Sequence, residues 1–132
     1  MTYHLQIVTP DGQCFDGQAE RLIIPTIHGQ IGILARHIDY VTALGMGPAK
    51  VVTEDGEHRA ACIGGMLAVT GGQVKVVATT FEWAEQIDVA RAKASIARAE
   101  AMLADPNADE QTRQYANARI KRAQVRLSVA GK

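Results

Sequence analysis

A chain of 132 residues, 47% hydrophobic and 21% charged, has room for one compact domain, or one with an appendage, and enough apolar material to fold in water. No apolar run approaches the roughly 18 residues of a membrane span, and Met1-Thr2-Tyr3-His4 lacks a charged-then-apolar leader pattern, so membrane association is expected only through a partner. The near-neutral pI argues against nucleic acid, yet the zero net charge is unevenly spread: residues 1–84 carry 8 acidic and 5 basic side chains, net −3, and residues 85–132 carry 6 and 9, net +3.

Tyr3, Leu5 and Ile7 alternate with His4 and Gln6, the period of a strand with one buried face, and Thr9-Pro10-Asp11-Gly12 suits a type I turn. Cys14 and Cys62 fall in separate strand-like segments without CxxC spacing and read as two small buried hydrophobes rather than a disulfide or redox pair. Thr26 to Arg36 reads as the one long irregular connection, the kind of loop that carries binding. Asp55-Gly56 links a strand near Ala49–Thr53 to one near Glu57–Ile63, and Gly71-Gly72 links Met66–Thr70 to Gln73–Ala78. Gly64-Gly65 is expected to be a tight connection between strands or a bulge. Short strands with turns every eight to twelve residues predict an all-β N-terminal domain, an antiparallel sandwich or barrel, over 1–84.

At Thr80 the hydrophobic rhythm changes. Val89, Ala92, Ile96, Ala99 and Leu103, then Ala116, Ile120, Ala123, Leu127 and Ala130, follow the three-then-four spacing of a helical stripe, which predicts an α-helical hairpin over 85–132. Asp88 is placed to cap the first helix, the break falls at Asp105-Pro106-Asn107, and Asn107 and Glu110 have capping-box spacing for a second helix roughly 30 Å long. The stripe is mostly alanine. Large side chains contribute roughly 1.5–3 kcal/mol each when fully buried, against roughly 1–2 kcal/mol of backbone entropy per ordered residue, so a seam with few of them closes loosely. Alanine's helix propensity lets each helix persist when the seam opens, which suits a regulator.

Motifs of independent catalysis are missing: no Walker loop, no serine on a nucleophile elbow, and His4, His28, His37 and His58 too scattered for a zinc site. The second helix is the conspicuous charged element, with Arg113, Arg119, Lys121, Arg122, Arg126 and Lys132 after Glu110 and no acid among them. It reads as a solvated face set against the helix dipole, as a surface for an acidic protein, or as a site for nucleotide phosphate.

Val8-Thr9-Pro10-Asp11-Gly12, Gly29-Gln30-Ile31-Gly32-Ile33-Leu34 with His37, Gly64-Gly65-Met66-Leu67-Ala68-Val69 and Ile87-Asp88-Val89-Ala90-Arg91-Ala92 together closely resemble, in order and across the whole chain, the epsilon subunit of bacterial F-type ATP synthase. The resemblance implies a flattened antiparallel β-sandwich followed by a two-helix hairpin. It also implies a rotor position between the gamma subunit and the membrane ring, coupling of proton flow to ATP synthesis, and inhibition of ATP hydrolysis by mobile C-terminal helices. Such a subunit is non-catalytic, needs no cofactor or metal, and sits peripherally on the cytoplasmic face of the bacterial membrane. Matched by position, Gly29, Gln30, Ile31 and Gly32 would face the ring and His37 would lie near gamma; from the basic character of the second helix, Arg119, Lys121, Arg122 and Arg126 are expected to dock on acidic surface of the catalytic alpha and beta subunits when the hairpin opens. The family usually has an acidic residue where this chain has Gln30, and Pro-Gly-His-x-Pro where it has Ala35-Arg36-His37-Ile38-Asp39; losing both prolines is expected to free the loop.

Ile87-Asp88-x-x-Arg91-Ala92 resembles the motif with which some bacterial epsilon subunits bind ATP as a regulatory ligand. Glu82 and Arg98 match flanking positions, and Arg122 and Arg126, one turn apart, would meet phosphate oxygens. In the alternative Asp88 is simply a cap, with Arg91 its ion-pair partner. A stand-alone β-sandwich sensor that binds nucleotide is the other reading of the whole chain.

Overall fold

The computed structural model describes residues 1–131. It contains eight strands, β1 (Tyr3–Thr9), β2 (Gly12–Ala19), β3 (Arg21–Thr26), β4 (Gly29–Leu34), β5 (Tyr40–Ala43), β6 (Met46–Thr53), β7 (Gly56–Thr70) and β8 (Gln73–Trp83), then a single 3₁₀ turn and two helices, α1 (Val89–Ala104) and α2 (Glu110–Ala130). The chain divides into two compact units, Met1–Ala84 and Glu85–Lys132.

The first unit is a β-sandwich made by folding one sheet over. Strand β7 pairs with β8 in one unbroken register from Ala60↔Trp83 to Thr70↔Gln73. Along its other edge it meets β6 through Ile63 and β5 from Met66 onward, again in a single register. The order β2-β1-β8-β7-β5 therefore makes one layer from the late half of β7, and β8-β7-β6-β3-β4 makes the other from its early half. Gly64 and Gly65, at φ +71° and +125°, lie where β7 passes between layers. They are thus neither a connection nor a register bulge but a bend within one long strand. A side chain on Gly65 would run into the Val77 carbonyl and the Ala78 Cα, so the bend depends on glycine. All pairings are antiparallel except β1 with β8, because the first strand inserts beside the last.

Alternation does what the sequence implies. Tyr3, Leu5 and Ile7 from β1, Leu67 and Val69 from β7 and Val74 and Val76 from β8 turn inward and meet Leu22, Ile24, Ile33, Val51 and Cys62 of the other layer in one core. The Tyr3 hydroxyl crosses the sandwich to donate to the Ile33 carbonyl (2.8 Å), and burial pushes its pKa well above the ordinary value. The expected long connection from Thr26 to Arg36 is instead a hairpin: Ile27-His28 form its turn, and Gly29 to Leu34 are strand β4. The Thr26 hydroxyl donates to the Gly29 carbonyl (2.6 Å) and accepts from the His28 amide (3.1 Å), while the pairs Leu22↔Ile33 and Ile24↔Ile31 supply the burial that glycine-rich sequence hides. Strand character also persists past Thr80, to Trp83.

In the second unit Asp88 caps α1 as expected, its carboxylate accepting from the Arg91 amide (3.0 Å). The cap of α2 is Asp109, accepting from the Thr112 amide (2.8 Å), and not Asn107. Asn107 instead donates its amide to Asp105 within the connecting turn (2.9 Å), which leaves its side chain outside the helix start. Only alanines are fully buried in the expected stripe, Ala92 and Ala99 on α1 and Ala116 and Ala123 on α2; Val129, rather than Ala130, is the buried residue of the last turn. Ile96, Leu103, Ile120 and Leu127 all keep partial exposure, so the seam is thinner than four fully buried side chains would make it.

Candidate functional site

Two surfaces carry the candidate chemistry, one on each unit. On the hairpin, Asp88, Arg91, Ser95 and Arg98 follow one another at steps of three and four and so share a face of α1; Tyr115, Arg119, Arg122 and Arg126 do the same on α2. The faces meet where Arg119 Nε donates to Ser95 Oγ (2.8 Å). That contact fixes which residues lie level in the antiparallel pair. Asp88 is seven positions before Ser95 and Arg126 seven after Arg119, each about 10.5 Å along its helix. Arg91 and Arg122, four before and three after, come level in the same way.

Asp88 uses its carboxylate on the backbone and makes no ion pair with Arg91. Among the described residues, Arg91, Arg98 and Arg122 have no carboxylate partner, and Arg91 and Arg98 are exposed. The hairpin therefore presents unneutralised guanidinium groups on one side, the arrangement that accepts phosphate or carboxylate oxygens. Ile87 and Ala92 are buried, so their part in any such site is to shape it, while Lys121 is exposed. Glu82 lies in β8 opposite Ala61, in the other unit.

On the sandwich, Gly29, Gln30, Ile31 and Gly32 are brought together along β4, an edge strand, with Gln30 donating to the Pro48 carbonyl (2.9 Å). His37 lies in the loop after it, half-buried, its ring 6.2 Å from that of Tyr40. The loop is tied down despite its missing prolines: Asp39, standing where the second would be, accepts from the Gly71 amide (3.0 Å). Arg36 adopts φ +65°, a left-handed conformation costly for a residue with a Cβ.

Sequence reading missed a third feature. The register aligns Val8, Val77, Met66 and Ala43 as neighbours across four strands on the outer face of one layer, with Val41 beside them. Val41, Met66 and Val77 are 64%, 48% and 46% exposed, a contiguous apolar row where a sheet facing water would be polar. Period-two alternation within each strand was the available signal, but lining the strands up needs the register. Beside the row lies a shallow cleft of about 310 Å³ edged by His4, Gln6 and Lys75, with His4 paired to Asp16. No group of three metal-ligating side chains occurs among the described residues, and burial pushes the Cys62 thiol up to about 12.

Sandwich, hairpin, apolar row and unneutralised arginines define a two-part protein built to meet other macromolecules through its surface. Residues 2–84 match the beta-sandwich domain, and residues 85–131 the long alpha-helix domain, of the ATP synthase delta/epsilon chain. The chain belongs to that family. It is 37% identical over 129 residues to the ATP synthase epsilon chain of Shouchella clausii, covering 98% of this chain and 95% of the relative. With that of an Exiguobacterium species it shares 39% over 129 residues, 97% and 95% of the two chains. Solved structures with the same fold include a chain of the Euglena gracilis mitochondrial ATP synthase (TM-score 0.84, 23% identity, 99% of this chain and 82% of that one). Another is a chain of the central stalk/c-ring assembly of the Tetrahymena thermophila mitochondrial ATP synthase (TM-score 0.60, 14% identity, 96% of this chain and 95% of that one).

Proposed function

We propose that this chain is the epsilon subunit of an F-type ATP synthase, a rotor component of the central stalk that couples ion flow to ATP synthesis and restrains ATP hydrolysis. The observation that carries this reading is the match of both family domains, in order, to 2–84 and 85–131, with relatives of that name aligned over nearly their full length. A stand-alone nucleotide sensor is not favoured, since it leaves the apolar row uncovered.

Within this reading the sandwich is the assembly part and does no chemistry. The gamma subunit covers the row of Val8, Val77, Met66 and Ala43 together with His37, and the membrane ring meets β4 at Gly29 to Gly32. No helix among the described residues is long and apolar enough to cross a membrane. Attachment at the cytoplasmic face is peripheral, through those partners. Lys121, Arg122 and Arg126, with Arg119, dock on acidic surface of the alpha and beta subunits when the hairpin opens. Copurification of the tagged chain with its complex tests the assembly role: Met66→Glu with Val77→Glu leaves the core intact yet removes the complex from the eluate. Undiminished recovery would place gamma elsewhere.

ATP is the proposed regulatory ligand, held within the hairpin by Asp88, Arg91, Arg98, Arg122 and Arg126. The support is Arg91 and Arg122, which lie level on the two helices without carboxylate partners among the described residues, with Arg98 on the same face of the first helix. Bridging both helices, nucleotide binds the closed hairpin alone and shifts the population toward it. Calorimetry with millimolar ATP should show binding heat and a raised melting temperature, about 2.7 kcal/mol of stabilisation at a hundredfold excess over Kd, lost in Arg91→Ala and Arg126→Ala. Neither signal in the wild type would leave these residues as cap and surface charge.

A further inference from the structure

Arg119 stands apart from the other cations of α2. Its Nε donates to Ser95 Oγ across the seam (2.8 Å), its Nη1 donates to the Tyr115 hydroxyl (3.1 Å), and its guanidinium carbon lies 6.0 Å from the centre of the Tyr115 ring. Both Ser95 and Arg119 are half-buried. Around them the seam is alanine on alanine, which holds helices close but gives little preference for one register over a slip by a turn. A directional, charge-assisted hydrogen bond supplies what that seam lacks: it exists in one register and it is lost when the helices part.

We propose that Ser95 and Arg119 form a latch that holds the helical hairpin closed and in register, with Tyr115 steering the guanidinium toward the serine. Arg119 then has two exclusive engagements. In the closed hairpin it is held by Ser95, and on opening it becomes free to join Lys121, Arg122 and Arg126 against an acidic partner. The basic face thus gains a cation at the moment it is needed, and the same contact keeps Arg91 level with Arg122 and Asp88 with Arg126 while closed. This rests on the reading of the hairpin as a part that opens.

The test measures the distance between nitroxides at Ala94→Cys and Gln124→Cys in the full-length chain carrying Cys14→Ser, without nucleotide and over a range of temperatures. Both label sites are exposed, and buried Cys62 does not compete for the label. Loss of a charge-assisted hydrogen bond at a half-buried site should lower the closed-to-open ratio about five- to tenfold in Ser95→Ala and in Arg119→Met. The double variant should fall no further than Arg119→Met alone, since both changes break one contact. Ala99→Asp, which forces a carboxylate into the buried seam, is the reference for opening. If it opens the hairpin while Ser95→Ala and Arg119→Met match the parent, the latch is overturned and the mobile hairpin stands. If it does not open the hairpin, the mobile hairpin falls and the latch with it.

Discussion

Gly65 carries the geometry of the whole sandwich in one residue. At φ +125°, with the Val77 carbonyl and the Ala78 Cα where a Cβ would stand, it lets β7 turn from one layer into the other without losing register against β8. Gly65→Ala should therefore cost about 2–4 kcal/mol, from left-handed strain and backbone overlap together, and lower the melting temperature by about 10 °C or more. A melt unchanged within error would show that the bend relaxes around a side chain. Arg36 has the opposite sign. A residue with a Cβ held at φ +65° on an exposed loop gains from replacement, and Arg36→Gly should raise stability by up to about 1 kcal/mol in urea unfolding. A lower midpoint would mean that its side chain, not its backbone, governs the loop. The pair also shows why single residues are unevenly legible. Gly64-Gly65 announces itself in sequence as a special backbone site, but only the pairing on both edges of β7 reveals a bend rather than a turn. Ala35-Arg36-His37 does not itself mark which residue takes the left-handed angle; the signal is the glycine that the resembled family usually has where this chain has Arg36.

Elements were legible where local chemistry and burial agree. Asp88 sits before a clean periodic stripe and is the cap of α1. For α2 the sequence pointed to Asn107, with Glu110 at capping-box spacing, but the turn through Asp105 engages the Asn107 backbone amide and the cap falls to Asp109. Hydrogen bonds from Thr112 hold the Asp109 carboxyl below its usual range. A depressed pKa adds stability above the unfolded carboxylate value, about 4, which is lost as pH falls through the folded one. The first turn of α2 should therefore fray below pH about 4, seen as faster amide exchange at Thr112 and Arg113, and Asp109→Ala should show that exchange at neutral pH as well. Equal protection at both pH values would mean the cap does not hold the turn. Strand β4 was hidden because glycine-rich sequence has low strand propensity, and its burial comes from partners in β3. The sandwich core is drawn wholly from 1–84, so a chain ending at Ala84 should fold with a single cooperative melt. A fragment without a melting transition would contradict that independence.

At the scale of the molecule, one neutral chain joins an acidic sandwich to a basic hairpin, and the proposed function gives attachment to the first and regulation to the second. The charge asymmetry and the alanine seam were readable from sequence, and so was the family. The apolar row across β1, β8, β7 and β5 was not, because it is assembled from strands far apart in the chain and depends on one parallel pairing. The central claim is that a regulator of ATP hydrolysis is attached by its sandwich and acts through its hairpin. It is tested most directly by the ATPase rate of the complex reconstituted with the full chain or with a chain ending at Ala84. Both forms should copurify with the complex, and only the full chain should slow hydrolysis, with Arg119, Lys121, Arg122 and Arg126 all changed to Ala behaving like the shorter form. Equal inhibition by both chains, or failure of the full chain to associate at all, would contradict it.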